Sequence, residues 1–143
     1  MKIFLDTSVL IEYIKGNKTE LFENIVSEDN NLYINSIVYS EFIFHFLSAV
    51  SGNSPFTLKK NKKIKRILET YNPIEFIQQF EVLPENKEII ESSYHLIKEY
   101  NLLPNDSLII ATCKHYNIEN IATYDSDFEK VLSDLKINLL RWP

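Results

Sequence analysis

The sequence of 143 residues is poor in cysteine, glycine and proline, and it lacks a long apolar run. Its single cysteine, Cys113, excludes an internal disulfide, so no oxidising compartment is needed and a cytoplasmic location is expected. Two glycines and five prolines are too few for a collagenous or linker-like chain. The longest apolar stretch, residues 36–50, is interrupted by Glu41 and His45 and is too short to cross a bilayer, so no membrane partner is expected.

The chain also lacks an excess of positive charge. Fifteen Lys and Arg stand against twenty Asp and Glu, which gives a net charge of −5 and a pI near 5.2. Such a surface does not attract phosphate backbones over long distances, so any contact with nucleic acid must be local. The apolar content of 45% is enough for a hydrophobic core, and the length predicts a single domain over residues 1–143.

Short apolar runs alternate with amphipathic segments along the chain. Strands are predicted at 3–5, 32–34, 82–83, 121–123 and 137–140, and the main helices at 7–15, 19–26, 36–50, 85–100, 104–116 and 126–133. This order predicts an α/β fold, a three-layer sandwich with a mostly parallel central sheet and right-handed crossovers.

A helical insertion, roughly residues 52–79, interrupts this alternation in the middle of the chain. It begins with a loop at 52–55 and then carries a lysine cluster, the members of which are Lys59, Lys60, Lys62 and Lys63. Such a cluster is often a solvated helix face, but its density on an acidic chain is equally consistent with RNA contact. Both interpretations of the lysine cluster remain open.

Acidic residues follow the predicted strands. Asp6 comes directly after the first strand, Asp125 comes two residues after the fourth, and Glu41 lies in the second turn of the helix after the second strand. Asp106 lies in the first turn of a helix, where the helix dipole favours a carboxylate. Because ligands of open parallel sheets bind outside the carboxyl ends of the strands, these four side chains are expected to converge.

Carboxylates brought together repel one another unless one takes up a proton or a cation holds them. Oxygen ligands without Cys or His favour Mg²⁺ or Mn²⁺, and such a site can activate water and orient a phosphodiester. Any single aspartate after a strand is more often a helix cap or a turn residue. Four of them at one sheet edge predict a metal-dependent nuclease.

Four sequence blocks resemble the signature blocks of PIN-domain ribonucleases, most closely those of VapC toxins. They are LDTSVLI at 5–11, SEF at 40–42, NDSLIIAT at 105–112 and TYDSDF at 123–128. The resemblance spans nearly the whole chain in the family's order, and it implies a PIN-like fold. It also implies a metal-dependent endoribonuclease that leaves 5′-phosphate and 3′-hydroxyl ends on RNA.

The resemblance further implies roles for individual residues and partners. The catalytic, metal-binding residues would be Asp6, Glu41, Asp106 and Asp125, with Asp127 either a further ligand or a turn residue. Thr7, Ser8 and Thr123 would assist by orienting carboxylates or water. The implied partners are a VapB-type antitoxin and a second copy of the chain in a homodimer. The long insertion departs from a compact toxin.

Other interpretations of the same residues remain open. The chain could be a PIN-fold RNA-processing nuclease without an antitoxin, or a module that binds RNA or protein without turnover. Glu41 and His45 are spaced by four residues, as a mixed metal pair would be, but a packed histidine between two phenylalanines is favoured. Cys113 is expected in the core.

Overall fold

Short apolar runs form the strands of one sheet in the computed structural model, which describes residues 1–141. The strands within these residues are β1 (Lys2–Leu5), β2 (Asn31–Asn35), β3 (Glu81–Leu83), β4 (Asn120–Ala122) and β5 (Asn138–Leu140). They pair in the order β3-β2-β1-β4-β5, and every pair is parallel. The expected mostly parallel sheet is therefore confirmed.

The amphipathic segments form helices that connect the strands. In the described part of the chain they are α1 (Thr7–Ile14), α2 (Glu20–Ser27), α3 (Ser36–Ser51), α4 (Pro55–Lys60), α5 (Ile64–Tyr71), α6 (Ile74–Ile77), α7 (Lys87–Tyr100), α8 (Pro104–His115) and α9 (Glu129–Leu135). The helix expected at 126–133 instead begins with a 3-10 turn over Ser126–Phe128, and α9 follows it. The carboxylate of Asp125 accepts a bond from the Asp127 N–H and so favours the tighter turn there.

The central strand β1 shows that helices cover both faces of the sheet. Successive side chains of a strand point to opposite faces, yet Ile3, Phe4 and Leu5 are all fully buried. A parallel sheet buried on both sides has strands of continuous apolar sequence, as this one does. The three-layer α/β sandwich is confirmed in this respect.

Strand register sets three polar residues side by side at the carboxyl edge of the sheet. Phe4 pairs with Tyr33 and Leu5 with Ala122, so the residue after β1, Asp6, lies level with Asn35 and Thr123. The Asp6 N–H continues the ladder by donating to the Ala122 carbonyl at 3.0 Å. The edge predicted for ligand binding is therefore lined by polar groups.

Helix α3 is buried on one side only. Phe42 is fully buried and packs against Phe46 and Phe76, whereas Phe44 is 42% exposed. The expectation of a packed His45 is wrong, because this side chain is exposed. It lies one turn beyond Glu41 along α3.

The insertion at 52–79 forms α4, α5 and α6, which confirms its helical character. Leu58 and Ile77 are buried and attach it to the body of the molecule, but α5 has no buried residue. All four members of the lysine cluster are exposed, and none of them forms an ion pair within residues 1–141. The charge of the insertion therefore faces solvent.

Two further expectations concern the chain as a whole. No helix among the described residues is long and apolar enough to cross a membrane. The single domain predicted for 1–143 includes residues 142–143, which lie outside the described range. Elements from both ends of the described range, β1 and β5, belong to the same sheet.

Candidate active site

The carboxylate of Asp6 lies at the centre of the polar edge. It is only 6% exposed, and its Oδ2 accepts hydrogen bonds from the hydroxyls of Ser8 and Thr123, each at 2.7 Å. Two donors on one oxygen fix the direction of this carboxylate. An assisting role for these two hydroxyls, implied by the resemblance, is consistent with this geometry.

The same hydroxyls also connect the start of α1 to the segment after β4. Ser8 Oγ accepts from the Tyr124 N–H at 3.0 Å, and Thr123 Oγ1 accepts from the Asp125 N–H at 2.9 Å. Each hydroxyl therefore donates to Asp6 and accepts from the backbone. The position of Asp125 relative to Asp6 depends on this chain of bonds.

Burial raises the pKa of Asp6, because a desolvated carboxylate loses the hydration of its charge. The hydrogen bonds from Thr123 and Ser8 act in the opposite direction, and the nearby charge of Glu41 adds to the increase. The anion at Asp6 is thus held in a position that favours its neutralisation by a proton or a cation.

Glu41 bridges the first turns of two helices. Its Oε1 accepts from the Thr7 hydroxyl at 3.1 Å, and its Oε2 accepts from the Asn105 amide at 3.4 Å. Thr7 begins α1 and Asn105 is in the first turn of α8, so Glu41 holds α3 against both. The side chain is half-buried beside Asp6.

Asp106 lies in the first turn of α8 and is half-buried. Burial, together with the charges of Asp125, Asp6, Glu41 and Asp127 in that order, raises the pKa of Asp106 to about 6. Every carboxylate expected at the site therefore acts on this one. Mutual repulsion of this kind is the electrostatic signature of an acidic cluster.

Asp125 and Asp127 follow β4 and differ in exposure. Asp125 is half-buried and its Oδ1 accepts from the Asp127 N–H at 2.9 Å, so it also has the turn role that a single aspartate is expected to have. Asp127 is exposed and lines a pocket of about 270 Å³ together with Asp106. The two interpretations of Asp127 are both compatible with this position.

Two asparagines that carry no predicted role, Asn35 and Asn105, hold the helices of the site together. Asn35 is fully buried; its Oδ1 accepts from the Val38 N–H at 3.0 Å and its amide donates to Thr112 Oγ1 at 3.1 Å. It therefore caps α3 and ties it to α8. An asparagine between a strand and a helix is an N-cap signal that could have been found, whereas the bond to Thr112, 77 residues away, has no local signal.

The remaining candidates from the sequence are Cys113, His45 and the lysine cluster. Cys113 is fully buried in the core, as expected, and burial raises the pKa of its thiol, so it stays a neutral apolar residue. Neither His45 nor the lysine cluster forms an ion pair with the acidic residues in the described part of the chain.

The donor set fits a hard divalent cation in its chemistry. Carboxylates and hydroxyls surround Asp6, and no Cys or His side chain of residues 1–141 takes part in these bonds. Burial raises the pKa of Asp6 and of Asp106, and the neighbouring carboxylates add to the increase. A cation there would stabilise the ionised forms against both effects. In the same range, however, no three His, Cys, Asp or Glu side chains are already arranged to hold a metal ion.

The sequence matches a family model described as PIN domain over residues 3–132. It is 36% identical over 132 residues to Ribonuclease VapC2 of Methanocaldococcus jannaschii, covering 91% of this chain and 89% of that protein. Ribonuclease VapC6 of the same organism is 34% identical over 140 residues, covering 90% of this chain and 92% of that protein.

Solved structures share the fold at lower identity. VapBC2 from Rickettsia felis, bound to a promoter DNA fragment, matches with a TM-score of 0.64 and 19% identity over 100% of both chains. VapC20 of Mycobacterium tuberculosis, a toxin that cleaves the sarcin-ricin loop, matches with a TM-score of 0.64 and 17% identity, covering 90% of this chain and 94% of that one.

Proposed function

The chain belongs to the PIN-domain family and, within it, to the VapC ribonucleases, and we therefore propose that it is an endoribonuclease that hydrolyses RNA phosphodiester bonds. It would act as the toxin of a VapBC-type pair, with Mg²⁺ or Mn²⁺ as cofactor. The observation that carries the proposal is that Asp6, Glu41 and Asp125, from three separate segments, lie close enough to Asp106 for their charges to raise its pKa beyond the effect of burial.

We propose that these four carboxylates bind the metal ion and catalyse the reaction. A bound divalent ion would lower the pKa of a water molecule and so activate it for in-line attack. Its positive charge would also stabilise the phosphodiester during this attack. Ser8 and Thr123 hold the Asp6 carboxylate in one orientation, and Thr7 and Asn105 do the same for Glu41. Asp127, on the pocket beside Asp106, is a further candidate ligand.

Attack of water on phosphorus with departure of the 3′-oxygen would leave a 5′-phosphate on one product and a 3′-hydroxyl on the other. The pocket beside Asp106 and Asp127 is also lined by the exposed Asn101 and Leu103, so it is accessible from the surface. Burial of Asp6 keeps bulk water from its Oδ2 and preserves its two hydrogen bonds.

A VapB-type antitoxin is the protein partner that we propose. Solved neighbours of the same fold include VapBC-1 from nontypeable Haemophilus influenzae and a toxin-antitoxin complex from Klebsiella pneumoniae. We also propose that the protein forms a homodimer, that residues 1–143 form a single domain and that the protein is cytoplasmic. The free, buried Cys113 is consistent with a reducing compartment.

The test is cleavage of a structured RNA pool by the wild type and by Asp6→Asn, with Mg²⁺, with Mn²⁺ and with EDTA. We expect metal-dependent cutting by the wild type and a loss of at least about a hundredfold in the variant, because a first ligand of the metal is removed. The matched control is Asp29→Asn, since Asp29 is an exposed aspartate before β2, at the opposite edge of the sheet.

Sequencing of the new ends then identifies the target and the phosphate position. Cutting that persists unchanged in Asp6→Asn contradicts the site assignment. Binding of RNA by a folded wild type without any metal-dependent cutting favours the alternative of a binding module.

A further inference from the structure

The exposed side of α3 leads from the candidate active site to the lysine cluster. Phe44 and His45 lie three and four residues after Glu41, so they are its neighbours on the helix surface. Phe44 is 42% exposed, and its ring contacts that of Phe56 with 5.9 Å between centroids. Phe56 is the second residue of α4, next to Pro55, and is 74% exposed.

Helix α4 places lysines on the same face as this ring. Lys59 and Lys60 are three and four residues after Phe56, hence beside it, while Leu58 points the other way and is only 2% exposed. We call Phe44, Phe56, Lys59 and Lys60 the aromatic-lysine strip. It begins about 5 Å along the α3 axis from Glu41, given the rise of 1.5 Å per residue.

The net charge of the insertion has the opposite sign to the net charge of the whole chain. Residues 52–79 contain six Lys and Arg and two Glu, a net charge of +4, although the whole chain carries −5. One of the two glutamates, Glu69, lies 3.8 Å from Lys65 and does not contact Lys59 or Lys60. The positive field is therefore concentrated beside two exposed aromatic rings.

We propose that the aromatic-lysine strip binds the single-stranded part of the RNA substrate next to the cleaved bond, with a base stacked on Phe56 and phosphates on Lys59 and Lys60. The inference rests on the proposed ribonuclease function and specifies its substrate as RNA with an unpaired segment. Aromatic faces bind unstacked bases irrespective of sequence, and lysines track the backbone. Bases inside a duplex have no free face for such stacking.

An alternative occupant is a protein, since an exposed phenylalanine is also common at protein interfaces. Lysine is depleted at the centres of protein interfaces, whereas lysines beside aromatic rings are the usual composition of a single-strand binding surface. Lys59 and Lys60 are exposed and form no ion pair within residues 1–141, so their charges favour RNA.

The test measures binding without turnover, by fluorescence anisotropy of a labelled single-stranded RNA of about 12 nucleotides and of its duplex, with the full chain in EDTA. We expect Phe56→Ala to weaken single-strand binding about tenfold and Phe56→Trp to retain it, since stacking is lost only in the first. Ile90→Ala, a substitution of an apolar residue 59% exposed on α7, is the matched control and should bind as the wild type does.

The lysines are tested by salt dependence. Lys59→Gln combined with Lys60→Gln should reduce the slope of log K against log salt by about 1.4, that is, about 0.7 for each single-strand phosphate that is no longer neutralised. Lys114→Gln, at the far end of α8, should leave the slope unchanged. Thermal melts establish that each variant is folded, which is expected because Phe56 and both lysines are exposed.

The outcomes separate this inference from the proposed function. The proposed role of the strip would be contradicted if Phe56→Ala bound single-stranded RNA as tightly as the wild type does. It would also be contradicted if the wild type bound the duplex as tightly as the single strand, even if the wild type cleaves RNA. Unchanged RNA affinity in Phe56→Ala would favour a protein partner for this surface instead. Weakened binding in the variants supports the strip even if no cleavage is found.

Discussion

At the scale of single residues, hydroxyl groups orient the central carboxylate. Thr123 is fully buried, donates to Asp6 Oδ2 at 2.7 Å and accepts from the Asp125 N–H at 2.9 Å. One side chain thus orients one proposed metal ligand and positions the backbone of another. Partners of metal ligands commonly affect affinity and activity nearly as much as the ligands do.

Thr123→Val tests this role, because valine has almost the same shape without the hydroxyl. We expect the loss of both hydrogen bonds to lower the free energy of unfolding by about 1 to 3 kcal/mol. Cleavage should fall about tenfold to a hundredfold and the Mg²⁺ concentration for half-maximal rate should rise. Urea unfolding and a Mg²⁺ titration of cleavage measure the two effects.

Thr123→Ser is the control, since it keeps the hydroxyl. A valine variant that needs no more Mg²⁺ than the serine variant would show that Thr123 does not act through Asp6.

At the scale of elements, a helix cap holds α3 and α8 in place. Asn35 accepts from the Val38 N–H and donates to Thr112, so it fixes the first turn of the helix that carries Glu41 and binds the helix that carries Asp106. Asn86 makes the same capping bond at the start of α7, to the Ile89 N–H at 2.9 Å, but it is exposed. The two caps differ mainly in burial, since the Asn86 side chain also contacts α8, its amide nitrogen lying 3.1 Å from His115 Nε2, but does so at the exposed surface.

Replacing each asparagine by alanine compares the two caps. Asn86→Ala should lower the free energy of unfolding by about 1 kcal/mol, the usual effect of losing a cap. Asn35→Ala should lower it by about 2 to 3 kcal/mol, because a buried cross-helix hydrogen bond is lost as well. Denaturant unfolding at one pH measures both, and equal losses would contradict a role for the Asn35–Thr112 bond.

At the scale of the whole molecule, folding brings together carboxylates that are far apart in the unfolded chain. Burial and the neighbouring acids raise the pKa of Asp106 to about 6 from an ordinary value of 3.8. Below pH 3.8 the group is neutral in both states and does not affect stability. As the pH rises towards 6 the unfolded state ionises first, so stability falls, and above pH 6 the full destabilisation is present.

Asp106→Asn should therefore stabilise the metal-free protein at neutral pH. We expect a gain of about 1 kcal/mol after allowance for solvent screening, or about 2 to 5 °C in Tm. The gain should disappear near pH 4, where the wild-type carboxyl is protonated. Thermal melts in EDTA across pH 4 to 8 measure it, with Asp29→Asn as the control, and a gain independent of pH would contradict this explanation.

Much of the fold follows from local patterns. The alternation of apolar runs and amphipathic segments is local, and it predicted the strands and the main helices. The acids after the strands were also visible, because parallel strands end at one edge. The 3-10 turn after Asp125 was missed, since it depends on a side-chain bond that competes with a regular helix start.

The sequence by itself determined the α/β class, the order of the elements, the family and the acidic residues at the strand ends. Only the tertiary structure decided that Asn35 ties α3 to α8, that Asn105 donates to Glu41, that His45 is exposed and that Phe44 meets Phe56. The physical reason is distance along the chain. Periodicity and capping arise between residues a few positions apart, whereas these contacts depend on how helices pack, which no local pattern encodes.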